Sequence, residues 1–456
     1  MSIFLTLTIL MKIVYTNIEQ IFIERVRTMK FTKLTKEEFE SFSLSHPCGT
    51  FHQMIGWGEL KARYGWTYHV VGLKKEDQIV AAALLLEKHL FGPYCLLYSP
   101  RGFLLNFEDK EILTTFTKEI KKFAKKRHAI FVKIDPYVIN HERDINGDIV
   151  ENGINHETVI TNLKKLGYHH NGYTLGMEDL QPRWTFALYL DGKSKDEVLK
   201  NMESKTRQMI RKNIKSGITT RELGHDEVEI FKNIMQHTAD RRNFIDRPLE
   251  YYESMIECLK DNAKIVVAEL NTDDYISKME KEIQENKDII KQKKSDIERK
   301  KPNLNLEKTN RKIEECEKNI LRLEKKLSHG KELQANHGKK ITLGGIIYML
   351  HGNEILSLFG GAYAEFMDFL SPYTTNWNMI QYAIDHGYQK YNFYGISGDF
   401  QNKKDEMYGL YEFKRGFGGV VDEYIGEFDL IISKPLYHFY NIAFAMYGKL
   451  KSLRRR

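Results

Sequence analysis

Two runs of apolar residues at heptad spacing, within residues 273–339, constrain the fold of this chain more than any other feature. Residues three, four and seven positions apart share one face of a helix, so each run predicts a helix with an apolar seam. The break at Lys301-Pro302-Asn303 separates the runs. We therefore expect an antiparallel coiled-coil hairpin with arms of about 25 residues, each roughly 37 Å long at 1.5 Å per residue. The seam residues are Ile276, Met279, Ile283, Ile290 and Ile297, then Leu306, Ile313, Cys316, Ile320, Leu323 and Leu327.

The remaining faces of this hairpin are dense in Lys and Glu. One interpretation is a solvated arm that serves as a spacer or adds stability. The other is an arm that docks RNA or a partner protein. The sequence leaves both open.

The rest of the chain alternates short strand-like runs with helical segments, which predicts an α/β (α+β) fold. A length of 456 residues points to two or three folding units. We expect a first domain over 29–180 and a second over 181–272 and 340–430, interrupted by the hairpin. A basic amphipathic helix or tail follows over 431–456.

The segment 1–28 is expected to be a mis-annotated extension. Its apolar run is too short to span a bilayer and has neither a basic start nor a small-residue cleavage site. Met29 opens a sequence that predicts a strand and then a helix capped by Thr35.

Common catalytic and metal signatures are missing from the sequence. It contains no GxSxG, P-loop, HExxH or GxGxxG motif. The four cysteines are far apart and form no CxxC pair, so neither a zinc site nor a disulfide framework is predicted. The net charge of +7 is a weak indication of anionic partners.

Five segments instead carry basic residues, aromatic residues or both, each together with glycine. In the first, Gln53, Trp57 and Lys61 are four residues apart and share one helical face. Another is a basic helix over 204–218, and each segment by itself is compatible with a solvated surface. The segments are FHQMIGWGELK (51–61), YSPRG (98–102), SKTRQMIRKNIKSGI (204–218), YNFYGISGDF (391–400) and GLYEFKRGFGG (409–419).

Taken in this order, the five segments resemble the Fem/MurM (FemABX) family of tRNA-dependent peptidoglycan interpeptide-bridge aminoacyltransferases. The hairpin makes the chain most similar to the FemA/MurM-like branch. The resemblance implies two GNAT-like acyltransferase domains with a substrate cleft. It also implies aminoacyl-tRNA as co-substrate, with no metal and no soluble cofactor.

The resemblance implies specific residues for binding the precursor. Lys61 and Arg207 would hold its pyrophosphate, with Arg211 as the alternative arginine. Tyr98 and Arg101 would shape the same cleft. Many relatives have an acidic residue where this chain has Asn106, so a hydrogen bond to the precursor survives there without a charge. Trp57 and Tyr394, from the first and fourth segments, complete the binding set.

For catalysis, the family's Phe-Lys pair matches Phe413 and Lys414. The implied reaction transfers Gly, Ala or Ser from the tRNA ester to the side-chain amine of the third stem-peptide residue, and the expected precursor is lipid II. Lys414 would stabilise the oxyanion of the tetrahedral intermediate. No general base is evident from the sequence.

The implied partners are aminoacyl-tRNA, a lipid-linked peptidoglycan precursor and a related enzyme or second copy in a dimer. A cytoplasmic location at the inner face of the plasma membrane is expected, with the basic tail on anionic lipid. Two alternatives stay open from the residues. One is an acetyl-CoA-dependent GNAT N-acetyltransferase, and the other is a non-enzymatic RNA-binding coiled-coil protein.

Overall fold

The computed structural model of the protein describes residues 29–302 and 304–453, with side chains as far as residue 446. The upstream segment 1–28 lies outside these residues. The described chain is a mixed α/β structure with two sheets and a helical hairpin inserted into the second. In this part of the chain, no helix combines the length and the apolar character needed to cross a membrane.

The first sheet is built mainly from the N-terminal third of the chain. Its strands are β1 Met29–Lys33, β2 Thr67–Lys75, β3 Gln78–Phe91, β4 Tyr94–Ser99, β5 Ala129–Ile134, β7 Tyr168–His170 and β15 Phe428–Ile431. Their spatial order is β1-β2-β3-β4-β5-β15-β7, with β4 and β5 parallel. The strand predicted at Met29 is present as β1, and Thr35 forms a capping box with Glu38 at the next helix.

The second sheet is formed by strands on both sides of the hairpin. They are β6 Ile139–Glu142, β8 Trp184–Tyr189, β9 Ile218–Glu222, β10 Ala263–Asn271, β11 Lys340–His351, β12 Glu354–Ala362, β13 Lys390–Gly395 and β14 Val420–Tyr424. Their order is β6-β14-β8-β13-β12-β11-β10-β9, and β12 and β13 are parallel.

Helices cover both sheets. They are α1 Lys36–Ser45, α2 Ile55–Arg63, α3 Lys110–Lys126, α4 Glu157–Lys165, α5 Lys195–Asn201, α6 Ser204–Lys215, α7 Val228–Arg242, α8 Leu249–Leu259, α9 Thr272–Glu298, α10 Leu306–His337, α11 Ser371–Asp385, α12 Tyr408–Arg415 and α13 Lys434–Leu453.

The two sheets exchange strands. Strand β6, from the predicted first domain, pairs with β14 in the second sheet. Strand β15, at the end of the predicted second domain, pairs with β5 and β7 in the first. The domain boundaries expected from the sequence therefore do not coincide with the sheets, because each sheet needs a strand from the other segment.

The faces of the second sheet carry separate cores. Residues Val266, Ile346 and Tyr348 pack on one side with Ile210 of α6. Their neighbours Ile265, Val267 and Ile347 pack on the other side, since consecutive side chains of a strand point to opposite faces. That second core also contains Phe51, Trp57 and Leu60 of the first unit, together with residues of α7 and α8. It therefore joins the two units.

The hairpin prediction is confirmed by α9 and α10, whose seam buries Met279, Ile283, Cys316 and Leu323. One seam residue was predicted wrongly. Leu306 is 53% exposed, because it is the first residue of α10 at the far end of the hairpin, where Thr309 is buried instead. At the other end, the hairpin packs on the edge of the second sheet in a shared core. This core includes Tyr275, Leu333, Leu270, Ile341 and Phe366.

Two helical regions are each divided in the structure. Helices α7 and α8 are separate because Asn243 adopts a left-handed φ of 56° and ends α7. Helices α5 and α6 are separated at Met202 and Glu203, which have extended ψ angles.

Candidate functional site

The segment 51–61 is fixed to the YSPRG loop by a buried glutamine. It forms a short 3-10 turn, Phe51–Gln53, and then α2. The Gln53 side chain accepts a hydrogen bond from Leu84 N (2.9 Å) and donates to the carbonyl oxygen of Pro100 (2.7 Å). This pairing holds α2 and the loop after β4 in one rigid arrangement.

Lys61 lies at the junction of the two units. Its Nζ is 4.2 Å from the centroid of the Trp57 ring and 3.4 Å from the hydroxyl of Tyr251, in α8. The Tyr251 ring is also covered by the guanidinium of Arg247, 4.4 Å from its centroid. Burial and the nearby charge of Arg247 lower the pKa of Lys61 to about 8. Two cations that share one aromatic ring form a site that favours an anion.

Tyr98 and Arg101 are organised by a buried carboxyl. Asp135 accepts hydrogen bonds from the Tyr98 hydroxyl (2.9 Å) and from the backbone N of Arg101 (2.6 Å). Burial raises the pKa of Asp135 to about 7, although Arg101 opposes this. The Arg101 guanidinium lies over the Tyr424 ring, 4.5 Å from its centroid, and donates to the carbonyl oxygen of Pro182 (2.7 Å). The loop after β4 thus reaches the second unit.

Lys414 belongs to α12, and its side chain is buried against the end of β13. Its Nζ donates to the carbonyl oxygens of Gly395 (2.7 Å) and Tyr394 (3.3 Å). Among the described residues no carboxylate pairs with it, and burial lowers its pKa to about 7. A buried lysine with a lowered pKa and only carbonyl acceptors is a candidate functional group. The adjacent Phe413 packs against Tyr373, with ring centroids 4.9 Å apart, and thereby anchors α12.

Tyr394 connects the lysine to the rest of the cluster. It has a left-handed φ of 67°, which is uncommon for a residue with a side chain and is held by a hydrogen bond from its N to Asn392 Oδ1 (2.8 Å). Its hydroxyl donates to Gln181 Oε1 (2.7 Å). Gln181 also lies beside His52, whose pKa is well below its usual value because of burial and the charges of Arg101 and Lys61.

Two buried polar atoms of this cluster have no hydrogen-bond partner within the described chain. They are Nδ1 of His52 and Nε1 of Trp57. A buried donor or acceptor without a partner costs about 1–3 kcal/mol, so such groups are rare unless a ligand or water satisfies them. Their position beside Lys61 supports a binding site there.

The structure does not bring Arg207 and Arg211 to Lys61. Both lie in α6, whose Ile210 belongs to the core on one face of the second sheet, whereas Trp57 belongs to the core on the other face. The Arg207 guanidinium donates to the carbonyl oxygens of Met202 and of Lys200 (2.9 Å), which caps the end of α5. A sheet thus separates the two residues expected to share one pyrophosphate.

Asn106 is also apart from the cluster. It is exposed, and its Oδ1 accepts a hydrogen bond from the backbone N of Glu108 (3.0 Å), in the turn before α3. This contact is sufficient to account for an asparagine at a turn.

The FemAB family matches residues 34–444. The chain belongs to the FemAB family. Aminoacyltransferase FemA of Staphylococcus aureus is 32% identical over 435 residues, which cover 94% of this chain and 100% of the relative. The enzyme of the same name from Staphylococcus epidermidis is 34% identical over 419 residues, 90% of this chain and 98% of the relative.

A crystal structure of FemX is similar to this FemAB chain with a TM-score of 0.76 and 29% identity, and covers 90% of this chain and 99% of FemX. The expected fold, two GNAT-like units with an inserted hairpin, is confirmed. The FemAB chain is an aminoacyltransferase, so the non-enzymatic alternative is wrong.

Sequence reasoning missed several residues of this candidate site. Asp135 follows β5 directly. A carboxylate at the end of a strand, in the sequence Ile134-Asp135-Pro136, could have identified it. His52 lies inside a segment already singled out. Arg247 and Gln181 lie in loops, and nothing in their local sequence indicates that folding brings them to Lys61 and Tyr394.

Proposed function

We propose that this FemAB protein transfers Gly, Ala or Ser from aminoacyl-tRNA to the side-chain amine of the third stem-peptide residue of a lipid-linked peptidoglycan precursor. The observation that carries the proposal is Lys414, an ammonium buried at the end of β13 with only carbonyl oxygens as partners. The relatives named aminoacyltransferase FemA support the reaction class.

The precursor's pyrophosphate would bind at Lys61 with Arg247. A pyrophosphate requires cations, and an arginine can pair two oxygens at once. Arg247 replaces Arg207 in this role, because Arg247 shares the Tyr251 ring with Lys61. Tyr98 and Arg101 would border the same cleft, and the buried Nε1 of Trp57 and Nδ1 of His52 have no hydrogen-bond partner among the described residues.

In the reaction, the neutral amine attacks the ester carbonyl carbon of the charged tRNA. The C–N bond forms as the carbonyl oxygen takes the negative charge, and the Lys414 ammonium stabilises that oxyanion. Collapse of the intermediate breaks the C–O bond to the tRNA. The amine loses one proton and the 3′-oxygen of the tRNA gains one, so the overall transfer is proton-neutral.

The tRNA would bind on the opposite face, along α6 and the hairpin. There Lys326 of α10 lies close to Arg322, Lys212 and Lys215, and its pKa is lowered by burial and by these charges. Glu282 offsets part of this charge through an ion pair with Lys215 (3.2 Å). A cluster of like charges favours a polyanion, with strong salt dependence.

Membrane contact is expected at α13. The helix packs through Tyr437 and Tyr440 on Phe131 and leaves several apolar side chains exposed. These are Phe439, Ile442, Phe444 and Met446. The basic end of the tail, the cytoplasmic location and a dimer with a related enzyme remain predictions.

The test is reconstitution from purified components. Protein, lipid II in detergent and tRNA charged with labelled Gly, Ala or Ser are combined, and the precursor is analysed by tandem mass spectrometry. We expect one aminoacyl group on the third-residue amine. A precursor with that amine blocked is the matched control, and acetyl-CoA replaces the tRNA in a parallel reaction. Acetylation without aminoacyl transfer would support the GNAT N-acetyltransferase alternative and refute the proposal.

A further inference from the structure

The loop between α7 and α8, residues 243–248, presents an apolar tip to solvent. Ile245 is 79% exposed and Phe244 is 44% exposed. Exposing two adjacent large apolar side chains is unfavourable in water, so a tip of this kind indicates a partner surface.

The tip is held in place by polar contacts beneath it. The side chain of Asp246 is buried and accepts hydrogen bonds from the Tyr252 hydroxyl (2.7 Å) and from Lys232 Nζ (2.5 Å). The backbone N of Phe244 donates to the carbonyl oxygen of Ala239 (3.1 Å), and Asn243 provides the left-handed turn. The loop therefore projects Phe244 and Ile245 from a fixed base.

Basic side chains surround the tip. Arg241 and Arg242 precede it and Arg247 follows it, and all three are exposed. Asp240 on α7 and Glu250 and Glu253 on α8 are exposed acidic residues on the flanking helices, whereas Asp246 is paired with Lys232. An apolar tip with a basic collar matches an anionic bilayer, which offers hydrocarbon beneath a layer of phosphates.

We propose that Phe244 and Ile245 insert into an anionic membrane and place the Lys61–Arg247 site at the headgroup layer. The inference rests on the proposed function for its purpose, because a lipid-linked pyrophosphate lies at that depth. Arg247 connects the tip to the Lys61–Arg247 site. It lies two residues after Ile245 in the same loop, and its guanidinium covers the Tyr251 ring that Lys61 also contacts. The loop thereby selects a membrane-embedded precursor.

The test compares full-length protein with a Phe244→Ser, Ile245→Ser double variant in co-sedimentation with vesicles. The vesicles contain phosphatidylcholine alone, or with about one lipid in three replaced by phosphatidylglycerol. We expect wild-type protein to prefer the anionic vesicles and the variant to lose about tenfold in partitioning. The matched control is an Ile149→Ser, Ile154→Ser double variant, which changes two exposed isoleucines elsewhere and should bind as wild type.

A second measurement reports insertion directly. In a Phe244→Trp variant, brominated acyl chains should quench the fluorescence of the new side chain beyond any quenching of the four native tryptophans in wild-type protein. Unchanged vesicle binding of the serine variant together with no added quenching would overturn the proposal. Loss of tRNA binding or of self-association in the serine variant, with vesicle binding intact, would also overturn it and assign the tip to those partners.

Transfer assays separate this inference from the proposed function. The serine variant should lose about tenfold in kcat/KM on precursor embedded in vesicles, yet match wild type on an analogue with a short, water-soluble prenyl chain. If wild-type protein transfers no aminoacyl group to either precursor, the proposed function fails, and the vesicle experiments still decide the role of the loop.

Discussion

Lys414 and Lys61 are both lysines with lowered pKa values, yet their surroundings differ. Lys61 lies against aromatic rings beside a second cation, whereas Lys414 is enclosed and held by two carbonyl oxygens. The first arrangement suits a bound anion. The second positions one ammonium at the end of a strand, where a charge that develops during a reaction can be met without reorganisation.

We expect Lys414→Met to reduce the rate of transfer at saturating substrates by roughly a hundredfold or more, as loss of an oxyanion donor does in other enzymes. Affinity for the precursor should stay near wild type, and thermal stability should not fall, since the variant removes a buried charge. Single-turnover kinetics and calorimetry measure these effects. Turnover near the wild-type value would remove Lys414 from the catalytic role.

The pH dependence offers an independent check on the same lysine. If the ammonium is required, its contribution to kcat/KM declines as pH rises through about 7, and Lys414→Arg removes that decline. The contribution of Lys414 to the free energy of unfolding changes with pH in the opposite direction. The unfolded chain binds more protons than the folded chain between the lowered pKa and the ordinary lysine value, so this lysine makes stability rise with pH in that window. Urea titrations of wild-type protein and Lys414→Met at several pH values should show the difference.

The second prediction at this scale concerns the pyrophosphate. Lys61→Met and Arg247→Met should each raise the KM for the precursor about tenfold or more with a smaller change in kcat, because they remove binding to a group remote from the chemistry. Arg207→Met is the matched control. It should leave that KM unchanged and lower thermal stability, since Arg207 caps α5. An Arg207→Met effect on KM equal to that of Lys61→Met would instead support the interpretation from the sequence.

At the scale of elements, the hairpin and α6 form one basic surface. The root of the hairpin is part of a core that includes Met279, Ile283 and Leu323, so its complete removal would expose the edge of the second sheet. A deletion that tests function must therefore keep this root and shorten only the distal part.

Replacing residues 288–318 with a short Gly/Ser turn should preserve folding. The distal Lys residues are lost, so we expect weaker tRNA binding with a smaller salt dependence, while precursor binding is unchanged. The double variant Arg322→Glu, Lys326→Glu should produce the same effect without any deletion. Lys312→Glu, near the distal end of the hairpin, tests whether the root or the distal end contributes more to tRNA binding. Unchanged tRNA affinity in both the deletion and the root variant would leave only the spacer or dimer interpretation.

At the scale of the whole molecule, the exchange of β6 and β15 couples the two units. Each sheet is completed by a strand from the other segment, and the core around Trp57 and Phe231 lies between them. Such coupling favours one cooperative unit over two independent domains.

We therefore expect a fragment of residues 29–180 to show no cooperative unfolding, because it lacks β15 between β5 and β7. The full chain should unfold in one dominant calorimetric transition, with a second, smaller event confined to the hairpin. Restoring 427–433 to the fragment through a flexible linker should recover part of its structure. A stable fragment without β15 would show that the first domain expected from the sequence folds alone.

The sequence by itself determined the local features of this protein. Heptad spacing identified the hairpin, because its seam depends on residues close in sequence. Alternating strands and helices indicated the α/β class, and the capping box at Thr35 marked a helix start. Lys61, Tyr98, Arg101, Tyr394 and Lys414 could be singled out because each belongs to a segment that resembles the Fem/MurM family.

Only the tertiary structure decided which of these residues meet. The separation of Arg207 from Lys61 depends on which face of the second sheet each helix covers, and one residue of register reverses that face. Arg247 joins the site through a loop far along the chain, and the carboxyl of Asp135 acquires its raised pKa from burial. Contacts of this kind depend on how the two exchanged sheets pack, and no spacing in the sequence encodes them.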